Sequence, residues 1–250
     1  MADKPREQII RAVDSGYDLR STADGKMPTL FGHFAVFNRW TEINSWFEGR
    51  FLERILPGAF RKTFSENPGK IKALFQHGQD PQVGDKPLGP VEELREDETG
   101  GYYEVPLLDT SYNRDLIPGL EAGLYGASFR FEVMREEMAD KPERSDHNPD
   151  GLPERTLKEL RLHEFGPVTF PAYAEATAGI RSLTDHFLFA QIERDPSRAR
   201  DLIALGTELD RQVDAPSTTD AAAAGRTSDV ERREPMFNSR EEWLVWMNKT

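Results

Sequence analysis

The side chains in this sequence that are able to do covalent chemistry are few in kind. None of the 250 residues is cysteine, which excludes thiol catalysis, disulfides and cysteine-based zinc sites. A nucleophile must then be a serine or threonine hydroxyl, unless a metal ion activates water. A hydroxyl needs a base, and the five histidines are His33, His77, His147, His163 and His186. None forms His-Glu-x-x-His or a comparable helical pair, so their spacing supports no metal site, and no cofactor or metal is expected. His77 closes the apolar stretch 70–78 and is followed by Gly-Gln-Asp. Ser128 stands in Gly126-Ala127-Ser128-Phe129-Arg130, among small neighbours that leave room for a peptide backbone. Taken singly, each is better read as an ordinary strand residue. Arg130, at alternating spacing, reads as a solvated strand position.

Strands must position these groups. Residues 17–22, 30–38 and 50–56 read as strands or strand edges. A short helix is expected over about 58–66, with Pro57 in its first turn. The stretch 70–78 then reads as a strand that ends at the histidine. Residues 87–97 and 101–110 form a hairpin around the acidic turn Asp97–Gly100. Residues 111–123 allow a helix that Pro118 and Gly119 would interrupt. Residues 124–134 alternate as a strand, 135–158 form a polar surface excursion, and 157–172 return to strand character. Strict alternation would put Leu160, Leu162 and Glu164 on one face and Arg161, His163 and Phe165 on the other.

The chain carries 32 Lys+Arg against 44 Asp+Glu, a net charge of -12. So acidic a chain is no general binder of a phosphate backbone, and nucleic acid is not an expected partner. The N-terminal stretch is charged, without the apolar core of a secretory signal. No run approaches the roughly 18 apolar residues that span a bilayer, so no membrane association is expected. The pattern divides the chain into an N-terminal arm (1–14), a strand-rich domain (15–183), a helical extension (184–213), a flexible linker (214–237) and an amphipathic C-terminal peptide (238–250).

Five segments in order carry a resemblance: Ile-Leu-Pro-Gly-Ala-Phe (55–60), Ala-Leu-Phe-Gln-His-Gly-Gln-Asp (73–80), Pro-Leu-Gly-Pro-Val-Glu-Glu-Leu (87–94), Gly-Leu-Tyr-Gly-Ala-Ser-Phe-Arg-Phe (123–131) and Leu-His-Glu-Phe-Gly-Pro-Val-Thr-Phe-Pro-Ala (162–172). Together they resemble the tailed-phage prohead, or capsid-maturation, serine proteases, which are similar to herpesvirus assemblin-type enzymes. The resemblance implies a mainly β fold with surrounding helices (α+β), built on a small closed or partly closed β-barrel of herpesvirus-protease type with a C-terminal helical extension. It implies Ser128 as nucleophile and His77, 51 residues earlier, as its general base. The third member matches Glu164, with adjacent His163 as the alternative. The substrates implied are the major capsid protein and the scaffold protein, and the chain itself. The place is the assembling procapsid in the bacterial host cytoplasm, with a homo-oligomer compatible. A non-catalytic assembly or scaffolding protein on the same barrel is the alternative, and a metal-dependent hydrolase is a third reading.

Overall fold

The computed structural model describes residues 8–13, 17–21, 26–45 and 48–169. The expected helical extension, linker and C-terminal peptide lie outside them. All described residues belong to the unit Met1–Thr207. They fold as a mainly β structure with few helices. Ten strands are present among them: β1 (Gln8–Val13), β2 (Tyr17–Arg20), β3 (Thr29–Val36), β4 (Thr41–Ser45), β5 (Gly49–Ile55), β6 (Lys72–Ala73), β7 (Glu93–Glu96), β8 (Gly100–Pro106), β9 (Gly126–Ala139) and β10 (Glu154–Val168). The helices are α1 (Arg61–Glu66) and α2 (Ser111–Glu121), with short 3-10 turns at Pro68–Lys70 and Phe75–Gly78.

The strands form two sheets. One has six strands in the order β1-β9-β10-β5-β4, with β6 paired to β10, and the other runs β2-β3-β8-β7. Neither closes on itself among the described residues, in contrast to the expected barrel. A single parallel bridge, Phe37 to Ile55, ties the end of β3 to β5. The inner faces pack ring on ring. Phe34 of β3 is fully buried, and its ring centroid lies 5.2 Å from Phe60, 5.4 Å from Phe129 and 5.3 Å from Phe165. Alternation explains which face turns inward: Tyr103 and Val105 of β8 are buried while Tyr102 and Glu104 between and beside them are not.

Several expectations need correction. Residues 70–78 are not one strand, because pairing stops at Ala73 and the chain turns sharply before the histidine. Pro57 precedes α1 rather than opening it. Pro118 lies inside α2, which continues to Glu121, since buried Leu116 and Leu120 hold the helix on the core. The side chain of Asn113 further anchors it through the carbonyls of Leu88 and Leu108. The polar excursion is shorter than 135–158. Strands β9 and β10 extend into it, held by the cross-strand pairs Arg155–Glu136 and Lys158–Glu137, and Glu154–Leu157 of β10 pairs with β5 on its other edge.

The turn between β7 and β8 falls at Asp97, as its residue types require. The carboxylate of Asp97 faces Nε2 of His33 at 2.8 Å and accepts the backbone N–H groups of Thr99 and Gly100. Burial opposes its charge, but these hydrogen bonds outweigh burial and pull its pKa from 3.8 down to about 2. A carboxylate whose folded pKa is depressed adds stability that is fully present above its unfolded value and lost as pH falls through the folded one. Thermal denaturation between pH 4 and pH 2 (roughly the window between those two values) should therefore show less loss of stability in Asp97→Asn than in the parent. Phe34→Ala should cost about 3–5 kcal/mol in urea denaturation, because its cavity opens at the centre of both sheets.

Candidate active site

Ser128 is the third residue of β9. Its backbone lies between two strands, opposite Ala12 of β1 and Gly166 of β10. Phe129 and Phe131 point into the core, so Ser128 and Arg130 take the outer face of the same sheet. His77 reaches that face from the turn Phe75–Gly78. Its Nε2 lies 2.8 Å from Ser128 Oγ, and its Nδ1 lies 2.7 Å from Oε1 of Glu164. A carboxylate on Nδ1 holds the proton on that nitrogen, which leaves Nε2 with a lone pair aimed at the serine hydroxyl.

The position of the histidine depends on an unusual backbone. Gln76 (φ 49°) and His77 (φ 56°) both adopt the left-handed conformation, and Gly78 follows at φ 72°. Two non-glycine residues in this region cost on the order of 1–3 kcal/mol each and persist only when neighbours over-determine them. The neighbours are identifiable. The backbone N–H of Leu74 donates to Phe165 at 2.9 Å, and the Gln76 amide donates to Thr169 Oγ1. After the turn, Asp80 Oδ1 accepts the N–H groups of Gln82 and Val83. Gly166 permits the approach: a Cβ there would lie 1.9 Å from the carbonyl oxygen of Leu74.

Glu164 is placed by a bulge. Leu162 pairs with Phe131 and Phe165 with Phe129, yet only Arg130 separates that pair on β9. His163 and Glu164 therefore share the space opposite one residue, and the strand's alternation shifts by one. This overturns the expected faces: Phe165 joins Leu160 and Leu162 in the core, and Glu164 does not. His163 and Glu164 do not point to opposite faces either. Both contact outer-face residues of β9, His163 through Glu132 at 3.0 Å and Glu164 through Arg130. Position alone thus leaves His163 bonded to Glu132 and Glu164 bonded to His77.

Glu164 is 1% exposed. A carboxylate that deep must be compensated by partners, since its uncompensated burial costs several kcal/mol. Nδ1 of His77 supplies one partner. The other is Arg130, whose Nε lies 3.2 Å from Oε1, close enough for charge attraction but not aligned as a hydrogen bond. Arg130 is therefore a support of the site and not a solvated strand residue. Its signal was available, because a period of two puts residue 130 on the face of residue 128. Gly166 gave no such signal, since its role appears only once Leu74 lies against it.

Residues 15–188 match the family described as the caudovirus prohead serine proteases, and the chain belongs to that family. Among individual relatives, it is 28% identical over 162 residues to the prohead protease of Enterobacteria phage HK97. That match covers 64% of this chain and 62% of the relative's length. Among solved structures, the capsid assembly protease of bacteriophage T4 is similar over 67% of this chain and 100% of its own, with a TM-score of 0.42 and 13% identity.

Gly166→Ala tests the positioning directly. The added methyl group meets backbone rather than a flexible side chain, so the segment from Leu74 to His77 must move. The variant should melt several degrees lower, consistent with a loss of about 1–3 kcal/mol from overpacking. The imidazole resonances of His77 should shift in NMR while those of His33 stay in place.

Proposed function

We propose that this chain is a serine endopeptidase of phage head maturation, with Ser128 as nucleophile, His77 as general base and Glu164 as the group that orients the base. The observation that carries the reading is the unbroken contact chain Ser128 Oγ to His77 Nε2 to Glu164, at 2.8 and 2.7 Å. Family membership supports the same reading.

The chemistry follows from the partners. His77 Nε2 takes the proton of the Ser128 hydroxyl as Oγ bonds to the scissile carbonyl carbon. The imidazolium so formed is stabilised by the Glu164 carboxylate beside Nδ1. Its proton then passes to the leaving amine, the C–N bond breaks, and an acyl-enzyme remains on Ser128. Water, deprotonated by His77, releases the acid product and restores the hydroxyl. No further group is required for atom balance.

The substrates in this reading are the major capsid protein, the scaffold protein and this chain itself, met inside the assembling procapsid within the bacterial host cytoplasm. Self-association is compatible with such a role. The fold in this reading is a variant of the herpesvirus-type barrel, opened between the two sheets.

Substitution separates the roles. Co-expressed with the capsid protein, Ser128→Ala and His77→Ala should each slow its cleavage by roughly 10⁴-fold or more. Glu164→Gln should cost less than either, because it leaves base and nucleophile in place. Unchanged processing by folded Ser128→Ala would overturn the assignment. Inhibition by chelator without inhibition by a serine-directed acylating reagent would favour a metal-dependent hydrolase instead.

A further inference from the structure

The hydroxyl of Ser128 has a second partner that the reaction does not use. Its Oγ donates to the backbone carbonyl of Arg11 at 2.9 Å. A serine has one hydroxyl proton. Given to Arg11, it is not available to Nε2 of His77. Ser128 is also fully buried, at 0% exposure. Strand β1, which carries Arg11, pairs antiparallel with β9 along its length, Ala12 opposite Ser128 and Arg11 opposite Phe129. Arg11 presents the nucleophile with its carbonyl oxygen, so the strand sits as an occupant and not as a bond under attack.

The side chain of Arg11 lies in a pocket built for positive charge. Four of its hydrogen bonds go to carboxylates, at 3.0 and 2.8 Å to Glu48 and at 2.6 and 3.1 Å to Glu53. Glu53 is 4% exposed. Arg155 also lies 3.2 and 3.3 Å from these two carboxylates. Burial works against the charge on Arg11, but Glu48 and Glu53 raise its pKa above the ordinary guanidinium value. With Arg11 in place, two guanidinium groups face two carboxylates. Without it, Arg155 is left to face both, and the deficit calls for a cation.

Resting on the reading of Ser128 as nucleophile, we infer that β1 occupies the substrate strand's own place on β9, and that the enzyme cleaves after a basic residue. A substrate segment would replace β1 bond for bond along the β9 edge. The template is legible in β1 itself. Ile9 and Ile10 are buried, Arg11 fills the acidic pocket, and Ala12 lies over the nucleophile. The preferred segment is therefore two apolar residues, an arginine or lysine, then a small residue, with the peptide bond after the basic residue broken by the acyl transfer described above. The chain repeats much of this pattern at Ile180-Arg181-Ser182, which makes the bond after Arg181 the first self-cleavage site to examine.

The test uses the full chain and two peptides, Gln-Ile-Ile-Arg-Ala-Val and the same peptide with Glu in place of Arg. Ala12→Pro removes a backbone donor from β1 but leaves the acidic pocket intact. In a Ser128→Ala background, the Arg peptide should bind Ala12→Pro at least tenfold tighter than the Ala12 chain. The Glu peptide should bind at least tenfold more weakly than the Arg peptide. If Ala12→Pro does not fold, Arg11→Ala opens the same place by another route, and only the Arg peptide should raise its Tm. Equal binding of the two peptides, or no binding to either folded variant, overturns the inference. A fluorophosphonate reagent separates this from the parent reading. With Ser128 present, Ala12→Pro should be labelled at least tenfold faster than the unmodified chain. Equal labelling rates would mean that β1 does not cover the nucleophile. Tight, charge-selective peptide binding with no labelling in any variant would retain the strand site and remove the catalytic reading.

Discussion

The site depends on one buried charge. The carboxylate of Glu164 is almost wholly withdrawn from water, and a charge so placed must find partners within the protein. Nδ1 of His77 answers it at 2.7 Å. That pairing fixes the ring, and the ring in turn fixes the direction of Nε2 toward Ser128. The left-handed turn at Gln76 and His77, the bulge at His163 and Glu164, and the bare Cα of Gly166 all serve that single contact. Each is a departure from regular structure, and each lies within reach of the same imidazole. Local strain of this kind persists where surrounding structure holds it, and here the holders are the backbone of β10 and the Asp80 turn.

The mainly β character was legible because its signals are local. Alternation in β3 and β8, and the acidic turn at Asp97, follow from residue type and a period of two. What escaped was everything set by register. Strict alternation misassigned Phe165 and Glu164, since one inserted residue reverses every later face, and no residue type in Leu-His-Glu-Phe announces a bulge. The left-handed histidine was hidden for a similar reason: Leu-Phe-Gln-His reads as a strand until β10 and Gly166 are in place. Residues 135–139 read as a loop because Arg135, Glu136 and Glu137 are charged, whereas their partners on β10 make them strand.

The candidate site was named through resemblance rather than spacing. Nothing in a separation of 51 residues requires two side chains to meet, and taken singly both residues suited ordinary strand positions. A period of two places Arg130 on the face of Ser128, although a charged strand residue by itself reads as solvated. Strand β1 carried no chemical signal at all. Its part emerges only from the pairing with β9 that brings the carbonyl of Arg11 to Ser128. The hydroxyl of Ser128 is thus bonded by the backbone of β1 and faced by His77 from the turn.

The central claim is that the contact between His77 and Ser128 breaks peptide bonds. Mass spectrometry of the purified chain, incubated beside its Ser128→Ala form, tests it most directly. The account predicts products truncated at defined peptide bonds from the parent chain and an intact mass from the variant. The same truncations in both chains, at the same rate, would contradict it.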